Sequence, residues 1–265
     1  MHKPVGHINV ISILWGTLYS EEDVNRLFSM LQKNSSFPIR FHLFSDEALP
    51  NLHPDIVQVP EPSSSVSLAE KPFNYRKEAC LCDDNLGNLM GQRVFFFDLD
   101  VLIMGNLDAL FSYPQGEQFY IINDWNSKGD CVGQATCYSF VVGTLGSIKK
   151  DFETNPDAVI QKFGTASQEF LSEKVIQLYG KLHFWPEAWF KSFRFHCLPW
   201  GFLRHFLTPS EPPPDTKVLA FHGHPDIRDA LIGRWSPPNI KKSARGWKKL
   251  YKACKPTPWI KAYWQ

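Results

Sequence analysis

Two carboxylates close an apolar run, Arg93-Val94-Phe95-Phe96-Phe97-Asp98-Leu99-Asp100-Val101-Leu102-Ile103. In an extended backbone residues i and i+2 face the same side, so Asp98 and Asp100 are expected to point into one small volume. Two like charges there repel, and each loses hydration. A divalent cation relieves both costs: Mg²⁺ or Mn²⁺ takes oxygen ligands, usually one or two carboxylates together with substrate phosphate. The competing reading is a strand-end turn in which the acids cap backbone amides. A second apolar run, Lys217-Val218-Leu219-Ala220-Phe221, ends in His222-Gly223-His224-Pro225. Neutral imidazole also binds Mn²⁺, which makes His222 a candidate third ligand, against a strand-end histidine bonded to backbone.

The elements that must carry these groups alternate between strand and helix patterns. Ile8–Leu14 is β-branched and bounded by a Gly-Thr turn, the pattern of a buried first strand. Ser20-Glu21-Glu22-Asp23 combines an N-cap with acidic first-turn residues, and Val24, Leu27, Phe28 and Leu31 mark the apolar face of the helix that follows. Ile39–Phe44 reads as a second strand, Phe73–Leu86 as a helix, and Val94–Phe97 as the strand that delivers Asp98. Strands are further expected at Phe119–Ile122, Tyr138–Val142 and Val218–Phe221, with helices at Ser147–Asn155 and Ser167–Leu178. Such alternation argues for a layered α/β domain. In open α/β sheets the ligand crevice lies beyond the carboxyl ends of the strands, where Asp98 and Asp100 are placed.

The segment "RVFFFDLDVLIMGNLDALF" resembles the D-x-D region of glycosyltransferases related to family 8, with Gly105, Leu107, Leu110 and Phe111 at the matching downstream positions. The resemblance runs from Ile8 to about Trp235. It implies a GT-A, Rossmann-like nucleotide-diphospho-sugar transferase fold, a mixed central sheet flanked by helices. It also implies a metal-dependent, retaining transfer of a hexose from a nucleotide sugar, UDP by family default, to a glycan or glycolipid such as surface polysaccharide or lipopolysaccharide. Carried onto this chain, the metal ligands are Asp98, Asp100 and His222, and the ion, Mn²⁺ or Mg²⁺, neutralises the leaving diphosphate. The late motif departs from the family's His-x-x-Gly-x-x-Lys-Pro-Trp: aligning Gly223 puts Ala220 where the histidine should stand. The usual lysine is absent, leaving His224 or Arg228 for phosphate.

The same resemblance implies donor contacts from Trp15, Gly16, Thr17 and Tyr19 after the first strand, Tyr19 stacking on the base. Asp46 reads the base or caps a helix, and Lys71, Arg76 and Lys77 meet the diphosphate or stay solvated at the surface. Asp124 lies where relatives meet the sugar. Gln168 and Glu169 stand roughly where relatives carry an Asp-Gln pair, with Ser167 in place of the Asp. Two rivals compete. A haloacid-dehalogenase-type phosphatase also begins from an apolar strand and D-x-D, but Val101-Leu102 follow here and no later Asp-Asp cluster appears. A non-catalytic sugar- or partner-binding protein of the same fold is favoured by the altered motifs.

Charge and composition bound the rest. A net charge of +1 gives no global field for nucleic acid. No run reaches the roughly 18 apolar residues of a membrane span, and no small-residue cleavage site follows Ile8–Trp15, so a cytoplasmic protein is expected. Cys80, Cys82, Cys131, Cys137, Cys197 and Cys254 match no C-x-x-C zinc pattern and read as buried thiols. The catalytic domain is expected over 1–233. The segment 234–265 is acid-free, with Lys241, Lys242, Arg245, Lys248 and Lys249 among Trp235, Trp247, Trp259 and Trp264. It suits either peripheral contact with an anionic membrane or a solvated helix packed on the domain.

Overall fold

The computed structural model describes residues 6–66, 75–126, 131–236 and 251–265. In chain order the strands are β1 (Ile8–Leu14), β2 (Ile39–Ser45), β3 (Ile56–Pro60), β4 (Arg93–Phe97) and β5 (Val101–Ile103). They continue as β6 (Tyr120–Asn123), β7 (Gly133–Val141), β8 (His183–Phe184), β9 (Phe190–Ser192) and β10 (Val218–Ala220). The helices are α1 (Glu21–Lys33), α2 (Arg76–Leu81), α3 (Asp108–Phe111), α4 (Gly146–Thr154), α5 (Pro156–Phe163), α6 (Ser167–Tyr179) and α7 (Ile227–Ile232). The chain divides into two compact units, one drawing on Met1–Asn25, Ser35–Leu99 and Asp108–Trp185, the other on Arg26–Asn34, Asp100–Leu107 and Pro186–Gln265.

The first unit is built on a seven-stranded sheet in the order β3-β2-β1-β4-β7-β6-β8. β1 pairs in parallel with both β2 and β4, and β2 with β3. β7 runs antiparallel to β4 and to β6, which returns β6 to the direction of β4. The carboxyl ends of β3, β2, β1, β4 and β6 therefore share one edge of the sheet. The unbroken burial of β1 explains its apolar run, because a strand covered on both faces needs no polar alternation. A core of Ile11, Ile13, Phe44, Phe96, Phe119, Tyr138 and Phe170 packs beside it.

At the start of α1 the Ser20 backbone N–H and hydroxyl both donate to the Asp23 carboxylate, at 2.9 and 3.1 Å. The expected helix over Phe73–Leu86 is shorter: α2 ends at Leu81. Beyond it the Asp83 carboxylate accepts from the Asn85 N–H at 3.0 Å, a local side-chain bond that competes with helix propagation. β3 has no counterpart among the sequence expectations. Only Ile56 in it is buried, so it shows no alternation to read. Five of the six cysteines are buried, all six are free thiols, and Cys131 is exposed.

The second unit holds a three-stranded sheet, β5-β10-β9, with β10 antiparallel to β5 and parallel to β9. Phe193 stacks on Phe221 at 4.5 Å, and Ile260 is fully buried. Asp226 caps α7 by accepting from Asp229 N–H, and Gly233 closes it in the left-handed conformation, φ 74°. Among the described residues no helix is long and apolar enough to cross a membrane.

Candidate functional site

The carboxyl edge of the first unit's sheet collects the residues with chemistry. Trp15 follows β1, Asp46 follows β2, Glu61 follows β3, Asp98 follows β4 and Asp124 follows β6. Each directly follows a strand at the edge where open α/β sheets place their ligand crevice.

Arg76, at the start of α2, binds three of these positions together. Its guanidinium donates to Asp46 at 2.9 Å and to Glu61 at 3.0 Å, and lies 5.7 Å from the Trp15 ring centroid. This is the planar, stacked use that guanidinium serves better than ammonium. Burial raises the Glu61 carboxyl above its usual range, with Arg76 opposing the rise. Sequence reasoning missed Glu61. Its only signal was a place at the end of a strand that itself went unread.

Lys77 faces Asp98. The ammonium donates to both carboxylate oxygens at 3.1 Å and to the Ala135 carbonyl at 2.9 Å, and it stands 4.8 Å from the Phe96 ring centroid. The Asp98 N–H donates to the Thr136 carbonyl at 2.9 Å, while the Ser12 hydroxyl donates to the carbonyl of Phe97 just before it at 2.8 Å. The backbone that carries this carboxylate is thus anchored to β1 on one side and β7 on the other. Burial raises the Asp98 pKa and the Lys77 charge pulls it back down. Behind Lys77, Glu78 is buried, and loss of hydration lifts its carboxyl to about 6.

Lys77 and Asp98 open onto a cavity of about 240 Å³ lined also by Gln134, Ala135, Thr165, Ala166, Ser167 and Gln168. Gln134 accepts from the Thr136 N–H at 2.8 Å. The start of α6 is pinned through Ser172, whose hydroxyl accepts from Gly133 N–H at 2.9 Å and donates to the Gln168 carbonyl at 2.6 Å. Gln168 therefore lines the cavity. Glu169 does not: it is the next residue on the helix, rotated away by a helical step and exposed. Asp124 is buried, and its N–H donates to the Val132 carbonyl at 3.0 Å.

Other expected donor residues are placed less tightly. Gly16 has φ 62°, with nothing within 4 Å of the point a Cβ would occupy, so its glycine serves backbone conformation. Thr17 is exposed and Tyr19 half-buried in the same turn. Lys71 lies outside the described residues.

The extended geometry expected of Asp98-Leu99-Asp100 is not what forms. β4 ends at Phe97 and a bend follows over Leu99 and Asp100 before β5 begins, so the strand rule for i and i+2 does not apply. In the second unit the Asp100 carbonyl accepts from the Phe221 N–H at 2.9 Å. His222 bonds a side chain: its Nε2 meets the Ser192 hydroxyl at 2.7 Å, and its ring stacks on Phe195 at 5.7 Å. Gly223 takes φ 77°, His224 is half-buried, and Arg228 lies 5.7 Å from the Trp264 ring. Among the described residues no three His, Cys, Asp or Glu side chains gather as a preformed metal cage.

Neither a protein-family model nor a curated protein sequence matches this chain. Solved structures do. The galactosyltransferase LgtC, in complex with donor and acceptor sugar analogs, superposes with a TM-score of 0.53 at 12% identity, over 92% of this chain and 95% of that one. This is a GT-A glycosyltransferase fold. The apo form of the glycosyltransferase GlyE from Streptococcus pneumoniae TIGR4 gives 0.53 at 12% identity, over 92% of this chain and 62% of GlyE. The bifunctional glycosyltransferase WbbM gives 0.52 at 11%, over 84% of this chain and 47% of WbbM.

Proposed function

We propose that this protein is a glycosyltransferase that takes a nucleotide sugar into the carboxyl edge of the seven-stranded sheet. The observation that carries the reading is the cavity in which Lys77, Asp98 and Gln168 converge, in a fold shared with LgtC and GlyE.

In this reading Trp15 and Asp46, fixed by Arg76, receive the nucleoside, UDP being the first donor to try. An indole face and a carboxylate suit a base, which has a π-surface and N–H donors. Lys77 supplies positive charge where a diphosphate would lie. Gln134 and Gln168 offer amides to sugar hydroxyls, and Asp124 orients the same ring. The cation that family 8 relatives use is held by one or two carboxylates plus diphosphate rather than by an all-protein cage. The carboxylate of Asp98, which lines a polar cavity, is an oxygen donor of that kind, and an ion there would share its oxygens with Lys77 or displace the ammonium toward the diphosphate. When bound, such an ion offsets charge on the departing diphosphate. The assignment of Asp100 and His222 to the ion, and of Gly223 and His224 to phosphate, rests on the sequence resemblance. A retaining outcome and a glycan or glycolipid acceptor rest on it as well.

The test is a panel of nucleotide sugars, with and without Mn²⁺, on the wild type and on Asp98→Asn, Asp100→Ala and His222→Ala. Release of one nucleoside diphosphate, lost in Asp98→Asn, is the expected result. Failure of the folded wild type to bind any nucleotide sugar overturns the reading. Binding without turnover leaves a sugar-binding protein of the same fold.

A further inference from the structure

We propose that the loop Leu198–Pro209 of the second unit is a membrane-docking surface for anionic lipid. Six of the twelve large hydrophobic residues exposed among the described residues fall between 195 and 207: Phe195, Trp200, Phe202, Leu203, Phe206 and Leu207. Trp200 keeps 80% of its surface and Phe206 71%. A concentration of this kind on a protein surface marks an interaction site, whereas single exposed apolar residues do not.

The loop is built to present these side chains. Its base is closed by Ser210 N–H donating to the Cys197 carbonyl at 3.1 Å, with Cys197 and Leu198 buried beneath. Arg204 ties it inward, donating to the Pro199 carbonyl at 2.7 Å and to the Tyr251 carbonyl at 2.8 Å. Trp259 Nε1 donates to the Pro209 carbonyl at 3.0 Å. Within it the 3-10 helix Gly201–His205 satisfies its own backbone through Leu203 N–H to Trp200 and Phe206 N–H to Leu203. At its end the Phe206 ring meets the Phe202 ring edge-on at 6.4 Å, and Trp200 precedes the helix in extended backbone. A loop closed at its base, with apolar side chains outward, can set those side chains at headgroup depth.

Charge selects the occupant. From Ala188 to Ser210 the chain carries no Asp or Glu, yet besides the inward-tied Arg204 it carries Lys191, Arg194, His196 and His205. Trp and Phe beside cationic side chains match the boundary of an anionic bilayer, where aromatic rings sit at headgroup depth and basic groups meet lipid phosphate. A protein partner would need acids to answer this charge. The inference stands apart from glycosyl transfer, and failure of the donor panel leaves it intact.

The experiment is co-sedimentation of the full chain with phosphatidylglycerol–phosphatidylcholine vesicles and with pure phosphatidylcholine vesicles, at low and high salt. Wild type is expected to sediment with the anionic vesicles and to release at high salt. The double variant Trp200→Ser/Phe206→Ser is expected to lose about tenfold or more in partitioning with an unchanged melting temperature, since both side chains are exposed. Lys248→Glu/Lys249→Glu tests the basic tail separately. Binding that survives the loop variant, or disappears only in the tail variant, overturns the proposal. So does concentration-dependent dimerisation without lipid that the loop variant abolishes, because the patch would then be a face between two copies of this chain.

Discussion

At the scale of single residues, the site turns on how each charge is compensated. Lys77 holds both oxygens of Asp98, so a Lys77→Met variant should lower kcat/KM for the donor by about 10²-fold, with Lys77→Arg recovering part of it; steady-state kinetics on the two variants checks this. The pair was half legible in the sequence: Asp98 stood out as a carboxylate in an apolar run, while Lys77 was one of three upstream cations with nothing to distinguish it. His42 offers a test of another kind. It is buried in β2, with Ile11 of β1 and Val57 of β3 as its neighbours in register. Burial first, then Arg40 and His7, lowers its pKa to about 4. A folded pKa below the unfolded one gives stability that is present above the unfolded value and lost as pH falls. The unfolded chain takes up a proton near pH 6.5 that the native state refuses until about 4. Across that window the wild type should lose about 3 kcal/mol relative to His42→Leu, measured by urea unfolding at a series of pH values.

At the scale of elements, the site depends on strands ending together. β4 and β7 pair from Arg93–Val141 to Phe97–Cys137, and that register sets where Asp98 emerges beside Thr136. β6 meets β7 through an irregularity between Ile121 and Ile122. Gly133, at the start of β7, lies against the Ile121 side chain, where an added Cβ would come within 2.5 Å of Cδ1. Gly133→Ala should therefore cost about 1–3 kcal/mol and disturb Asp124 and Gln168 together, read as a lower Tm with a weakened donor KM. β1, β2, β4 and β10 were legible because apolar, β-branched runs bounded by turn residues have few alternatives. β7 was read from Tyr138 only. Its first residues, Gly133-Gln134-Ala135-Thr136, are small or polar, and they are buried because neighbouring strands cover them. α2 was read too long because apolar spacing does not register the Asp83–Asn85 turn.

At the scale of the whole chain, each unit carries its own core and its own buried charge. In the second, Asp229 has a fully buried side chain and Arg234, only partly buried, is its ion-pair partner. Removing the cation strands a carboxylate whose pKa burial already raises. Arg234→Met should thus destabilise by about 1–3 kcal/mol, less than for a fully buried pair because water reaches the guanidinium, with Asp229→Asn added to it restoring most of the loss in thermal melts. A layered α/β domain was legible from strand–helix alternation, and the GT-A fold was implied by the resemblance of the D-x-D segment to family 8 glycosyltransferases. The cluster Lys241, Lys242, Arg245, Lys248 and Lys249 of the basic tail lies outside the described residues, and the apolar loop Leu198–Pro209 went unread because exposed and buried aromatics look alike in sequence. By itself the sequence determined that Ile8–Leu14, Ile39–Phe44, Val94–Phe97 and Val218–Phe221 form strands and that carboxylates follow the third of these, because apolar periodicity acts locally along the chain. Only the tertiary structure decided that Glu61, Arg76, Asp46 and Trp15 meet, that Lys77 rather than Lys71 or Arg76 faces Asp98, and that Gln168 but not Glu169 enters the cavity. Those outcomes depend on strand order and helix rotation, which bring together residues tens of positions apart, and no local pattern encodes them.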